Sequence, residues 1–345
     1  MDKKILLIEL AGIGDVVLSS PTIKNLRKSY TDFLIYFLTF TQPAEVIQKS
    51  PYLDKIIVFH RGFKGIFKNI QVLKELRGLR IDVAINLYQH YTLKGAINMA
   101  LLLKFISPKK SFGRNTDGKG FFYDIKIADT INTKRHDVEY KLDLIQALSC
   151  DIKDKKLEAW FDEFDKKGVE EFLGENSVLD SDILIGINPG AHRPAHRWHW
   201  KNFAEVAEML AKRYKAKIVI TGTYNERRLA ENIIRKTSVK PIDATGKMSI
   251  TQLVVLIRRC NLYISNDTAP MHIANALGTP LVAIMGPGGM KTAPYQKDNC
   301  IILKKDVECS PCYKFKCEDM ICLKAITAEE VIQASESLLK DYVKN

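Results

Sequence analysis

Asp267, Thr268 and His272 sit at the close of an apolar run, in "LYISNDTAPMHIANALGTPLVAIMGP" from Leu262 to Pro287, where a strand gives way to a helix. Pro270 has no N–H, so it loses nothing in a first helical turn. The N–H groups of Thr268, Ala269 and Met271 are then open at a helix start, whose partial positive charge suits an anion. Thr268 adds a hydroxyl. Asp267 would repel a phosphate placed too near and is assigned to sugar hydroxyls. His272, one turn inward, reaches phosphate or sugar; the other reading is a satisfied core histidine.

Two further loops carry chemistry. "INPGAHRPAHRWHWKNFAEVAEML" places His192, Arg193, His196, Arg197, Trp198, His199, Trp200 and Lys201 between a strand ended by Pro189-Gly190 and a helix. Guanidinium groups bind phosphate in two-pronged fashion, so Arg193, His196 and Arg197 read as a phosphate clamp. Trp198 and Trp200 read as packing beneath the helix. "LIELAGIGDVVLSSPTIKNL" sets Gly12 and Gly14, which allow a tight turn, just before Asp15. A dinucleotide fingerprint is excluded because position 17 is valine where a third glycine is needed, and no P-loop lysine is present. Asp15 has two readings: a helix cap, or a carboxylate kept ionised by a helix start that takes a proton from an attacking hydroxyl. Ser20-Pro21 reads as an N-cap followed by the first helical residue.

The elements that must hold these loops are short apolar strands. They are Lys4–Leu10, Phe33–Phe40, Lys55–Phe59 and Asp82–Leu87 in the first half, then Ile183–Pro189, Ala216–Gly222, Leu262–Asn266 and Pro280–Gly286. Near-continuous apolar strands imply parallel sheets covered on both faces. Helical stripes separate them; Phe203, Val206, Ala207, Leu210, Ala211 and Tyr214 share one helix face. The class is therefore α/β, doubly wound, with ligands at the carboxyl ends of the strands. The charged stretch 162–182 reads as a short helix and a linker. It divides two Rossmann-like domains, 1–165 and 180–325, facing each other across a central cleft. The tail 326–345 opens with the capping box Thr327-x-x-Glu330 and reads as a helix packing back across the junction.

The chain has 345 residues and is 46% hydrophobic, enough to bury substantial cores. With 52 Lys and Arg against 40 Asp and Glu, its net charge is +12, which favours an anionic partner such as nucleotide phosphates or an acidic membrane face. No helix-turn-helix, zinc-finger or RNP signature points to nucleic acid. The opening "MDKKILLIEL" does not fit a signal peptide, and no run approaches the roughly 18 apolar residues of a membrane span. Ile97–Ile106 reads as a buried or interfacial helix. These features predict a cytoplasmic protein. Seven cysteines do not suggest a secreted disulfide framework. Cys309, Cys312, Cys317 and Cys322 are spaced as a tetrahedral metal site could be, with reduced packing thiols as the alternative.

The blocks "ILLIELAGIGDVVLSSPTIKNLRKSY", "INPGAHRPAHRWHWKNFAEVAEML", "TGKMSITQLVVLIRRCNLYISNDTAPMHIANALGTPLVAIMGP" and "CSPCYKFKCEDMICLKAITAEEV" resemble glycosyltransferase family 9, the ADP-heptose:lipopolysaccharide heptosyltransferases. D-T-x-x-x-H-x-x-x-A-x-G-x-P is the most specific of these patterns. The resemblance implies a GT-B fold and metal-independent, inverting transfer with no cofactor. It implies an acceptor-binding N-terminal domain and a nucleotide-sugar-binding C-terminal domain. Heptose would move from ADP-L-glycero-D-manno-heptose to Kdo or heptose of a lipid A-core acceptor, beside the inner face of the inner membrane. Asp15 matches the family's base, with Gly12 and Gly14 on the acceptor-side loop. The donor block covers Ala191, His192, Arg193, His196, Arg197, Glu226, Met248, Asp267, Thr268, Ala269 and His272. Glu226 falls near the ribose and Met248 beside the adenine. His196 replaces a lysine usual at the diphosphate, which would make that contact pH-sensitive. Ala269 replaces a usual glycine where only a backbone N–H is needed. Two other readings compete. One is a heptosyltransferase acting on an autotransporter protein, since related protein heptosyltransferases hold iron through cysteines. The other is a nonenzymatic basic binding protein.

Overall fold

Strands that are apolar along their whole length must be covered on both faces. In the computed structural model, residues 3–62, 65–312 and 314–340 are described, and the eight expected strands form within two units, Met1–Glu158 and Ala159–Asn345. The first unit runs β1 (Lys4–Ile8), α1 (Ile13–Val17), α2 (Ser20–Ser29), β2 (Leu34–Phe40), α3 (Thr41–Ile47), β3 (Lys55–Phe59), α4 (Ile66–Gly78), β4 (Val83–Asn86), α5 (Leu93–Ile106), β5 (Lys110–Thr116), β6 (Ile125–Asp129) and α6 (Asp137–Gln146). The second runs α7 (Glu163–Glu175), β7 (Leu184–Asn188), α8 (Trp200–Tyr214), β8 (Lys217–Ile220), α9 (Arg227–Lys236), β9 (Ile242–Asp243), α10 (Ile250–Arg259), β10 (Leu262–Asn266), α11 (Ala269–Leu277), β11 (Leu281–Met285), β12 (Cys300–Lys304), α12 (Ile321–Lys324) and α13 (Ala328–Leu339).

Each unit holds one six-stranded sheet, ordered β3-β2-β1-β4-β5-β6 and β12-β11-β10-β7-β8-β9, with the recorded strand pairs parallel. Both orders are the doubly wound pattern, reversing direction beside the first strand of the unit. A crevice opens at that switch, at the carboxyl ends of β1 and β4 and of β7 and β10. Of these, β1, β7 and β10 precede the three loops singled out above.

The local signals are mostly in place. Phe203, Val206, Ala207, Leu210 and Ala211 face inward from α8. Thr327 Oγ1 accepts from Glu330 N at 3.2 Å while Glu330 Oε2 accepts from Thr327 N at 3.0 Å, closing the capping box. Ser19, rather than Ser20, is the N-cap position of α2; the Ser20 hydroxyl instead donates to Val17 O at 2.7 Å. The C-terminal helix α13, expected to pack across the junction, is built into the second unit's core. There Val331, Ile332 and Leu339 join the cluster beneath α8 and β10 to β12. Residues 341–345 lie outside the described residues. Among the described residues no helix is long and apolar enough to cross a membrane.

The first unit also buries charge. Lys141 on α6 donates to Glu9 Oε2 at 2.6 Å and lies 3.3 Å from Asp137. Arg114 on β5 is paired with Asp137 and with Asp129, the latter at 2.8 Å. Two cations thus serve three carboxylates in the interior. Burial pushes the Glu9 carboxyl up to about 7, against the pull of Lys141. For Lys141 burial pulls the other way, but Glu9, Asp137 and Asp15 outweigh it and leave its pKa raised.

A carboxyl whose folded pKa lies above its unfolded value contributes stability that is complete below the unfolded pKa and lost as pH rises through the folded one. For Glu9 that window runs from 4.5 to about 7. Urea unfolding of wild type and Glu9→Gln across this range should show the gap shifting in favour of the variant as pH rises, by no more than about 3 kcal/mol. A gap that stays constant from pH 4.5 to 8 would refute the assignment.

Candidate functional site

In the first unit the chain leaves β1 at Ile8, crosses Glu9 to Gly12 and enters α1. Asp15 is the third residue of that helix, and Gly12 N donates to its Oδ2 at 2.9 Å. The cap reading is therefore realised, and it fixes the carboxylate in place. Among the described residues no hydrogen bond engages Oδ1. Gly12 has φ −88° and ψ 175°, an ordinary extended conformation, so its value lies in the close approach of Asp15 and not in a special turn. Gly14 lies in the first turn of α1.

Sequence reasoning missed what holds this loop from behind. Lys141 Nζ, besides pairing with Glu9, donates to the backbone oxygen of Asp15 at 2.8 Å and to Ser19 Oγ at 3.0 Å. Ser19 Oγ in turn donates to Asp15 O at 2.9 Å. In the sequence Glu9 interrupts the apolar run that opens the chain. The signal that could have found it is that interruption: a carboxylate at the end of a central strand requires a buried cation.

In the second unit the phosphate-clamp loop follows β7. Its packing residues separate cleanly from its open ones. Trp198 is buried, donates through Nε1 to Ile326 O at 2.9 Å and stacks edge-on against Phe203. His199 caps α8 by accepting from Lys201 N. Arg197 Nε donates to Ala191 O at 2.8 Å, so part of its guanidinium braces the loop instead of awaiting a ligand. Ala191 is buried beneath it. His192 and Arg193 are exposed, His192 lying edge-on to Phe315.

The loop after β10 meets the clamp directly. His196 Nδ1 lies 3.1 Å from Asp267 Oδ2, both side chains mostly buried, and His196 Nε2 has no partner among the described residues. The two residues assigned separately to diphosphate and to sugar are thus one hydrogen-bonded pair. A Cβ at Gly288 would overlap the Asp267 carboxylate, so only glycine leaves room for it. Thr268 is the N-cap position of α11, its side chain making no cap hydrogen bond. Of the three N–H groups expected to be open there, that of Met271 is taken by Thr268 O at 3.0 Å, leaving Thr268 and Ala269 as donors. His272 is buried one turn along α11.

Asn266 ties the two loops together. Its Nδ2 donates to Pro189 O at 2.9 Å and Gly190 O at 3.3 Å, and its Oδ1 accepts from Trp198 N at 3.1 Å. The remaining two candidates join the same sheet edge. Glu226 accepts from Thr223 N and Oγ1, each at 2.9 Å, and its carboxylate fills the space a Cβ at Gly190 would need. Met248 is half-buried in the turn after β9, which is held to the Glu226 turn by Gly246 N donating to Gly222 O at 2.9 Å. The carboxyl ends of β7, β8, β9 and β10 therefore present Arg193, His196, Glu226, Met248, Asp267 and Thr268 along one edge. Such an edge offers cations and helix-end N–H groups to an anion and carboxylates to hydroxyls.

Cys309, Cys312, Cys317 and Cys322 all line one small cavity of about 160 Å³, with Lys314 and Asp319 at its wall. Burial raises the Cys322 thiol pKa. Among the described residues no group of three or more His, Cys, Asp or Glu is placed to hold a metal ion.

The profile of glycosyltransferase family 9 (heptosyltransferase) matches residues 70–321. The chain is 25% identical over 337 residues to lipooligosaccharide heptosyltransferase 2 of Campylobacter jejuni, spanning 95% of this chain and 96% of that one. The fold superposes on the crystal structure of a family 9 glycosyl transferase from Veillonella parvula with a TM-score of 0.82 at 26% identity, covering 98% of this chain and 97% of that one. It superposes on E. coli ADP-heptose lps heptosyltransferase II with a TM-score of 0.77 at 22% identity, covering 98% and 99%. With a family profile extending over residues 70–321, most of its length, the chain belongs to glycosyltransferase family 9, the heptosyltransferases.

Proposed function

We propose that the protein transfers a heptose from ADP-L-glycero-D-manno-heptose to an inner-core sugar, Kdo or heptose, of a lipopolysaccharide acceptor at a membrane face. The observation that carries this reading is the His196–Asp267 pair at the start of α11, beside two open N–H groups and within one sheet edge with Glu226. ADP-heptose is the donor class named for the E. coli relative, and the acceptor class follows the Campylobacter and E. coli relatives. A nonenzymatic binding role gives way to membership of an enzyme family.

The C-terminal unit binds the nucleotide sugar. Thr268 N, Ala269 N, Arg193, His196 and the open arm of Arg197 meet the diphosphate. Glu226 meets the ribose, Met248 packs on the adenine, and Asp267 with His272 meets the heptose. The N-terminal unit binds the acceptor, with Gly12 and Gly14 shaping the loop and Asp15 Oδ1 receiving the proton. The acceptor oxygen forms its bond to the anomeric carbon as the carbon–oxygen bond to the diphosphate breaks. The proton passes to Asp15 and both bonding electrons leave with ADP. Negative charge grows on the leaving diphosphate, where the helix end and the basic loop stabilise it, so neutralisation there needs no added cation.

Purified protein mixed with ADP-heptose and a Kdo-bearing lipid A should release ADP and add one heptose to the lipid mass. UDP- and GDP-sugars should be turned over far less. Absence of both ADP release and mass gain refutes the reading. Asp15→Asn should lower kcat by about 10²- to 10⁴-fold with ADP binding unchanged; an unaltered kcat removes Asp15 as the base. Glu226→Gln, which can still cap its turn, should weaken ADP binding by roughly tenfold. Calorimetric titration with ADP checks this, and equal affinity would exclude the ribose contact.

A further inference from the structure

The N-terminal unit carries an apolar face with no partner. Helices α4 and α5 pack beside each other and bury Leu76, Ala96, Met99, Leu103 and Ile106. Outward they leave Phe67 at 81% exposure and Leu101 at 60%, with Ile70, Leu93, Ile97 and Phe105 around them. Seven of the sixteen exposed large hydrophobic side chains among the described residues fall between residues 67 and 105. So dense a patch is unusual for scattered surface residues and marks an interaction site. Beside it opens a groove of about 790 Å³ walled by Phe59, Leu73, Leu102 and Phe105. Its lining includes Leu10, on the segment that leads to Asp15, and the buried His90. Burial, with Arg114 nearby, lowers the His90 pKa to about 4, so this lining imidazole is uncharged at neutral pH.

The charge around this face narrows the partner. The two helices hold Lys68, Lys74, Arg77, Lys94 and Lys104 against one acid, Glu75, which is paired with Lys55. The N-terminal unit has 26 Lys and Arg against 17 Asp and Glu, net +9, while the C-terminal unit has 26 against 23, net +3. A second copy of the chain would set like charge against like. An acidic soluble peptide would satisfy the lysines but leave the phenylalanines and leucines unexplained. An anionic bilayer satisfies both, since apolar side chains enter the acyl boundary while lysines meet the headgroups. Helix α5, at fourteen residues, is about 21 Å long, too short to cross the hydrocarbon layer and suited to lie along it.

We propose that the α4–α5 face is a membrane-docking surface that seats the N-terminal unit on an anionic lipid bilayer, with the groove receiving the apolar part of a lipid. The proposal deepens the lipid-acceptor reading above and rests on it. In flotation assays the full chain should bind vesicles of equal parts phosphatidylglycerol and phosphatidylcholine, and bind pure phosphatidylcholine at least tenfold less. Phe67→Asp with Leu101→Asp, both on exposed positions, should weaken binding at least tenfold, while Met209→Asp, exposed on the C-terminal unit, should not. Should the aspartate pair fail to fold, Lys94→Glu with Lys104→Glu carries the same expectation.

Turnover gives the second arm. The aspartate pair should keep wild-type rates on a deacylated soluble acceptor and lose at least tenfold on the same acceptor in vesicles. Equal vesicle binding by wild type and variant overturns the proposal. So does a wild-type dimer, by light scattering without lipid, that the aspartate pair dissociates, because a second copy then covers the face. If the wild type turns over neither acceptor, the transferase reading fails while the flotation result still decides the docking surface.

Discussion

A parallel sheet covered on both faces can present chemistry only at its ends. That constraint organises this molecule twice over. Each sheet is sealed by helices, and the candidate groups lie in the loops and first helical turns that follow a carboxyl end: Asp15 after β1, the basic loop after β7, Glu226 after β8, Met248 after β9 and Asp267 after β10. Strand order fixes which loops are neighbours, because the switch beside β1 and β7 opens the crevice there and nowhere else in the sheet. Glycines then decide how close the groups come. Gly190 and Gly288 leave space for the Glu226 and Asp267 carboxylates to lie against the backbone.

The same constraint explains why the interior of the first unit is charged. The turn leading to Asp15 begins just past the end of β1 with Glu9, a carboxyl group buried from water. Lys141 answers it and at the same time grips the Asp15 carbonyl and the Ser19 hydroxyl. The charge at the strand end and the position of Asp15 are thus held by one ammonium group. Removing one partner of such a pair is more disruptive than never having had it, since the other charge is left buried alone.

Much of this was legible from the sequence, and the rest for stated reasons was not. The eight apolar strands and the α8 stripe were readable because their signals are local. So were the three loops, through Pro270, the glycine pairs and the clustered basic residues. Strand β5 was not, since "KSFGRNT" is broken by Arg114 and Asn115, and Arg114 is tolerated only because Asp129 and Asp137 reach it from elsewhere in the chain. Strand β9 is two residues long and leaves no pattern to detect. Lys141 was invisible because its partner Glu9 lies 132 positions away. The pairing of His196 with Asp267 likewise joins loops 71 residues apart, so each was assigned its own ligand when they act on one another first. Residue chemistry alone points to phosphate and sugar hydroxyls, and only the resemblance names ADP-heptose as the donor.

Asn266 has a consequence for recognition energetics. Its one amide is shared among Pro189, Gly190 and Trp198, so the start of α11 and the basic loop form a single stiffened scaffold. The conformational entropy of ordering these segments is surrendered when the chain folds, not when a ligand arrives. Any ligand meeting this edge therefore encounters a preorganised recess, and a larger share of each contact it makes appears as affinity.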